Sequence, residues 1–201
     1  MPTSFDKSVS RFPIRKDQIF LSHCGISPLY SAAAEQAIDL VQEQQLRGGG
    51  GLIEVYEPCM EDLREQAAKL LHTTADNMAF VRNTSEAMSM LANGYPFEPG
   101  DEVITFQQEY PANYYPWVLQ ERRGVKVRFL SNIPARTDIP ESVIGKWSEE
   151  ELLELISPKT RLIALSHVQF TSGYAADLQR LGEICRTHNI DLVIDAAQSM
   201  G

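Results

Sequence analysis

The sequence predicts an α/β fold, a mostly parallel sheet with helices on both faces. Three observations carry that reading. Short apolar runs recur at residues 78–81, 103–106, 125–130, 162–165 and 192–194. Helical patterns separate them at 85–92, 113–122, 149–156 and 177–188. The runs are nearly continuous in apolar residues rather than alternating, as in strands buried on both faces.

Taken in order, the first thirty residues are irregular, with Pro2, Pro13 and Pro28 as breakers. From Ser31, a candidate N-cap, the pattern turns helical: Ala33, Ala37, Ile38 and Val41 share one face. That helix is expected to fade near Leu46. Arg47 and four consecutive glycines, Gly48 to Gly51, then predict a loop or hinge, because glycine is poorly held in a helix. A second helix is expected after Pro58, carrying Leu63, Ala67, Leu70 and Leu71. Residues 1–51 therefore read as an N-terminal arm and helix with a glycine-rich hinge, and 52–201 as the main domain. The clearest helix is 177–188, with Leu178, Leu181, Ile184 and Cys185 on one side. Cys185 reads as core.

Composition narrows the function classes. A chain of 201 residues can bury roughly 70% of its unfolded surface. Its net charge is −9, with no basic cluster, which argues against nucleic acid and anionic membranes as partners. No apolar run approaches the ~20 residues of a membrane span. The polar start, 1–16, lacks the apolar stretch of a secretory signal. Three scattered cysteines, Cys24, Cys59 and Cys185, fit reduced thiols and a cytoplasmic setting.

In a parallel sheet, ligands sit beyond the carboxyl ends of the strands. The informative residues are those just after each run. Asn83-Thr84-Ser85 stands where a helix begins, and can be a phosphate site or a plain N-cap beside Glu86. Asp195 ends an apolar run, where a carboxylate contacts a ligand, a metal or a helix start. Tyr110 by itself reads as packing, and His167 as a structural histidine. The fingerprints G-x-G-x-x-G, G-x-x-x-x-G-K-[ST] and G-x-S-x-G are missing, as are C-x-x-C and H-E-x-x-H, so no metal site is expected.

Asn83-Thr84-Ser85-Glu86-Ala87, Glu109-Tyr110-Pro111-Ala112-Asn113, Ser166-His167-Val168 and Asp195-Ala196-Ala197-Gln198-Ser199, in this order and spacing, resemble the class V aminotransferase family. That family includes cysteine desulfurases, selenocysteine lyases, kynureninases and isopenicillin N epimerase-like enzymes. The resemblance runs from about Phe20 to Gly201. It implies the large domain of the PLP-dependent (pyridoxal 5'-phosphate) fold type I, a homodimer, and an amino-acid substrate handled through an aldimine. It implies that Ser85 and the backbone at Thr84 hold the cofactor phosphate. Tyr110 would stack on the pyridine ring, Asp195 would pair with the ring nitrogen, and Gln198 would contact the phenolic oxygen. Such a carboxylate keeps the ring protonated and able to accept electrons. The Ser27-Pro28 loop with Gly25 resembles the arm bordering the substrate pocket.

There are two departures. Desulfurases carry asparagine where this chain has Phe170, which leans away from that subgroup. The family's Schiff-base lysine follows the Asp-x-x-Gln segment, whereas Lys7, Lys16, Lys69, Lys126, Lys146 and Lys159 all precede it. That lysine, the small C-terminal domain and any desulfurase cysteine are expected beyond Gly201, with 52–201 the N-terminal part of the large domain. The chain alone is expected to be inactive, to bind PLP at most weakly, and to associate through exposed apolar surface. The alternatives are a non-catalytic fold remnant or interaction module, and an α/β protein binding another phosphorylated ligand.

Overall fold

The structure is a computed structural model that describes residues 7–22, 24–134 and 144–200. Pro2 and Gly201, named above, lie outside the described residues. The chain divides into two compact units, 1–80 and 81–201.

The first unit is built on one long helix, α1 (Ser31–Leu70). Tyr30 occupies the N-cap without a side-chain hydrogen bond. Ser31 does not cap the helix; its hydroxyl donates to Ser10 O at 2.6 Å and its N–H to Arg11 O at 2.8 Å. The expected glycine loop or hinge is a single-residue kink. Only Gly48 leaves helical geometry, at φ 58° and ψ −145°, and the next segment continues as helix through Pro58. One residue with φ > 0 is enough to turn the axis, and glycine adopts it without a Cβ penalty. Pro58 lacks an N–H and forfeits one backbone bond there rather than ending the helix. The apolar stripe expected on α1 exists, but it faces outward: Ile38 is 57% and Val41 65% exposed.

Residues 78–81 do not form a strand. Met78 has extended dihedrals, φ −104° and ψ 127°, but no strand among the described residues pairs with this stretch. An apolar run becomes a strand only where another backbone supplies the ladder.

The second unit holds the sheet: β1 (Glu102–Phe106), β2 (Lys126–Leu130), β5 (Thr160–Ser166) and β6 (Asp191–Asp195), in the order β2-β1-β5-β6 and parallel throughout. A separate antiparallel pair, β3 (Ile133–Pro134) with β4 (Gly145–Lys146), was not evident from the sequence pattern. The helices are α2 (Thr84–Gly94), α3 (Tyr115–Val118), α4 (Glu149–Leu155) and α5 (Leu178–His188). Asp177 and Ser148 cap α5 and α4 through their side chains. The single helix expected over 113–122 is instead broken into a 3-10 turn (Pro111–Asn113), α3 and a second 3-10 stretch (Leu119–Arg123). Pro111 and Pro116 withhold backbone donors, so the chain turns in short pieces.

Both faces of the sheet are covered. Ile104, Phe106, Ile163 and Leu165 pack with Leu152 of α4 and with Leu181, Ile184 and Cys185 of α5. On the other face, Val103, Leu162 and Ala164 pack with Met88 and Ala92 of α2 and Trp117 of α3. Alternate strand residues thus feed opposite layers, which is why the runs read as continuously apolar. Burial pushes the Cys185 thiol up to about 11. Iodoacetamide at pH 8 is therefore expected to alkylate the exposed Cys24 and Cys59 and to spare Cys185 until the chain unfolds. Peptide mass mapping checks this, and rapid native labelling of Cys185 would refute its core placement. Among the described residues, no helix is long and apolar enough to cross a membrane.

Candidate active site at the carboxyl edge of the sheet

The direction of α2 sets one side of the site. Beyond its C-terminal end, Tyr95 donates its hydroxyl to Arg161 O at 3.3 Å and to the Asp191 carboxylate. Those partners begin β5 and β6, so this end of α2 lies at the amino edge of the sheet. Met88 and Ala92 lie along Val103, Leu162 and Ala164. The helix runs about 16 Å at ~1.5 Å per residue, back along strands of similar length, and its N-terminus reaches the carboxyl edge.

At that N-terminus, Asn83 Oδ1 accepts from Glu86 N at 2.9 Å, and Glu86 Oε2 accepts from Arg82 N at 2.8 Å. The Arg82 guanidinium beside Glu86 holds its carboxyl below the usual carboxylate range. This reciprocal cap satisfies the third N–H of the helix. No described residue accepts the N–H of Thr84 or Ser85. The cap and the anion site are therefore compatible: capping consumes Glu86 N, and the two amides ahead of it remain open with the hydroxyls of Thr84 and Ser85.

Three residues after β1, Glu109 is buried at 5% exposure. Its Oε1 accepts from Ser166 N at 2.8 Å and from Gln169 Nε2 at 2.7 Å, and its Oε2 accepts from Ser166 Oγ. Burial pushes the carboxyl up, opposed by those hydrogen bonds. The folded chain holds this proton above the unfolded pKa, so this group's stabilisation is full below that pKa. It is lost as pH rises through the folded pKa. Tyr110 follows, half exposed, with its ring 5.1 Å from that of Phe170 in an edge-to-face arrangement at 85°. Phe170 sits on a hairpin closed by Gln169 N to Tyr174 O and Gly173 N to Gln169 O, with Gly173 at φ 70°.

Asp195 ends β6 and is buried at 7% exposure. Its Oδ1 accepts from Ala197 N at 3.0 Å, and no described residue donates to Oδ2. Its backbone carbonyl accepts from His167 N at 2.9 Å. His167 Nδ1 shares a 2.8 Å hydrogen bond with Ser199 Oγ. Gln198 lies exposed in the turn over 197–199 and makes no hydrogen bond to a described residue.

The structure thus brings Thr84, Ser85, Tyr110 and Asp195 to one edge of the sheet, with Gln198 on the turn that follows Asp195. The sequence assigns no role to Glu109, Gln169 or Ser199, although their loops are among those expected at this edge. Glu109 carried a usable signal, a lone carboxylate just past a buried strand and next to an aromatic residue. The donor set suits a phosphate-bearing cationic ring. It offers an open helix start for an anion, a buried carboxylate with a spare oxygen for a protonated nitrogen, and an exposed aromatic face. Gln169 Oε1 and Thr171 Oγ1, buried without partners among the described residues, add polar atoms to the same loop.

The family model described as Aminotransferase class-V matches residues 36–201. A probable cysteine desulfurase of Methanothermobacter thermautotrophicus is 24% identical over 192 residues, covering 94% of this chain and 46% of that protein. A cysteine desulfurase of Salmonella dublin is 32% identical over 146 residues, covering 70% of this chain and 34% of that protein. The chain therefore spans less than half the length of these relatives. Among solved structures, a variant of C-DES with glycine covalently linked to its PLP cofactor superposes with a TM-score of 0.82. It is 20% identical, over 96% of this chain and 50% of that one. The apo cysteine desulfurase of Thermococcus onnurineus gives a TM-score of 0.76 at 22% identity, over 99% of this chain and 49% of that one. These structures share the PLP-dependent α/β fold with this chain. Matched over most of its length, the chain belongs to the class-V aminotransferase family.

Proposed function

We propose that this chain holds PLP at the carboxyl edge of its sheet and forms part of a PLP-dependent enzyme acting on an amino acid. The observation that carries the proposal is the buried Asp195 carboxylate, with one oxygen unclaimed among the described residues, at the same edge as the open N-terminus of α2. Bound there, PLP supplies an electron sink that stabilises negative charge on a substrate carbon. The chain's own residues bind and orient it. The amides and hydroxyls of Thr84 and Ser85 take the phosphate, with the helix dipole favouring the negative charge. Asp195 holds a proton on the ring nitrogen, Tyr110 presents its ring face, and Gln198 reaches the phenolic oxygen. Lys126 opens β2 and Lys159 precedes β5, so both lie at the opposite edge. Cysteine is the substrate class favoured by the desulfurase relatives, and Phe170 stands in the wall beside Tyr110. The homodimer would cover the exposed stripe on α1.

The test is a PLP titration of the chain, followed by quenching of its aromatic fluorescence. Saturable one-to-one binding supports the reading, and binding no tighter than that of free pyridoxal, which lacks the phosphate, refutes it. Tyr110→Phe is expected to bind within about twofold of the parent. Tyr110→Ala is expected to weaken binding about 2- to 10-fold, from ~0.5–1.5 kcal/mol of ring stacking. Equal affinity in Tyr110→Ala would assign the ring contact to another residue.

A further inference from the structure

We infer that Glu109 is a positioning residue: its carboxylate ties the loop after β1 to the loop after β5 and thereby sets the Tyr110–Phe170 wall of the site. This rests on the reading above that PLP binds at this edge.

The β1–β5 ladder runs only to Thr105 opposite Ala164. Beyond it β1 and β5 pair only with their outer neighbours β2 and β6, and among the described residues no backbone hydrogen bond joins the two loops that follow. Glu109 fills that role. Ser166 is the last residue of β5, and its N–H goes to the Glu109 carboxylate instead of a β1 carbonyl. The Ser166 hydroxyl and the Gln169 amide donate to the same group, so one side chain gathers three donors from the partner loop. The side chain thus extends the β1–β5 connection past the end of the ladder.

The consequence falls on the next residue of each loop. Tyr110 follows Glu109, and Phe170 follows Gln169. Their rings meet edge to face at 5.1 Å, yet they are 51% and 44% exposed. Rings that exposed do not fix one another by burial; their mutual position comes from the backbone on either side. The Glu109–Gln169 hydrogen bond at 2.7 Å is the link immediately before that pair. His167, one residue past Ser166, joins the same loop to Asp195 through its N–H and to Ser199 through Nδ1. Strand-end loops after β1, β5 and β6 are therefore connected in series, with Glu109 at one end and Asp195 at the other.

Three substitutions separate reach from charge. Glutamine at 109 has the same length; its oxygen can accept from Ser166 N and Gln169 Nε2 while its amide donates to Ser166 Oγ. Aspartate keeps the charge but is one methylene too short to span the loops. Gln169→Met removes the donor from the other side and leaves Glu109 untouched. Glu109→Gln is expected to bind PLP within about threefold of the parent chain, whereas Glu109→Asp and Gln169→Met are expected to lose about tenfold. In a Tyr110→Ala background the Glu109→Asp loss should shrink to within twofold, because the wall it positions has already been removed. Full additivity in that cycle, or equal affinity across all three variants, would overturn the inference. A general folding defect is separated by far-ultraviolet circular dichroism; if Glu109→Asp does not fold, Gln169→Met carries the same cycle. The near-ultraviolet circular dichroism of the chain without cofactor provides a second reading. Glu109→Asp and Gln169→Met should reproduce the change seen in Tyr110→Ala, and Glu109→Gln should not. If the parent chain fails to bind PLP, the functional reading falls, and this second measurement still decides the role of Glu109.

Discussion

Asp195→Asn is expected to weaken PLP binding by about 10- to 150-fold with little change in the unfolding midpoint. The asparagine oxygen can still accept from Ala197 N, which Asp195 Oδ1 does now at 3.0 Å, so the turn after β6 keeps its hydrogen bond. What is lost is the negative charge that, in the proposed site, would pair with the ring nitrogen. A charge-assisted hydrogen bond is worth roughly 1.5–3 kcal/mol, and each ~1.4 kcal/mol is tenfold in affinity. Burial at 7% exposure keeps the interaction from being screened by water. Asp195→Ala removes the turn's acceptor as well, so it should lose about 1 kcal/mol of stability besides the affinity. Titration of both variants by fluorescence, with urea melts alongside, gives the two readouts. An Asp195→Asn chain that binds PLP within twofold of the parent would remove Asp195 from the proposed site.

Trp117→Ala is expected to destabilise the chain by about 3–5 kcal/mol, the usual range for truncating a fully buried aromatic residue. Trp117 has no exposed surface and packs with Met88, Ala92, Phe97, Val103, Val125, Leu162 and Ala164. Its indole N–H also donates to Asn113 Oδ1 at 3.0 Å, so truncation orphans a buried acceptor. Against a total stability of roughly 5–15 kcal/mol, this is a large fraction. The cluster is also what anchors α2 along the sheet, so the helix start at Thr84 and Ser85 depends on it. Urea unfolding monitored at the far-ultraviolet helix signal measures the loss. A change under 1 kcal/mol would show that this layer is not what holds α2 in place.

How far these residues could be read in advance differs from element to element. Asp177 before Leu181, Ile184 and Cys185 is a cap followed by an apolar face, and α5 forms as the pattern says. The runs that became β1, β2, β5 and β6 were legible for the same reason. The run at 78–81 carries the same kind of apolar signal and does not form a strand, since no strand among the described residues pairs with it. The glycine tract reads as a loop or hinge, and a single φ of 58° at Gly48 is all the turn requires. Asp195 and Glu109 make the sharpest contrast. Both are carboxylates close behind apolar strands, and both are buried. One oxygen of Asp195 has no donor among the described residues, whereas both oxygens of Glu109 are taken by the neighbouring loop.

The sequence by itself determined the class of fold, the apolar runs of its parallel strands, most of the helix starts and the family to which the chain belongs. Those properties come from apolar patterning, caps and short motifs, interactions that act within a few residues along the chain. Only the tertiary structure decided which runs found strand partners, that the amides of Thr84 and Ser85 open at the same edge as Asp195, and that Glu109 is spent on Ser166 and Gln169. Those depend on groups more than fifty residues apart, such as Glu109 and Ser166, being brought within hydrogen-bond distance. Pairing and burial exist only once the sheet has aligned its strand ends, and no local pattern encodes them.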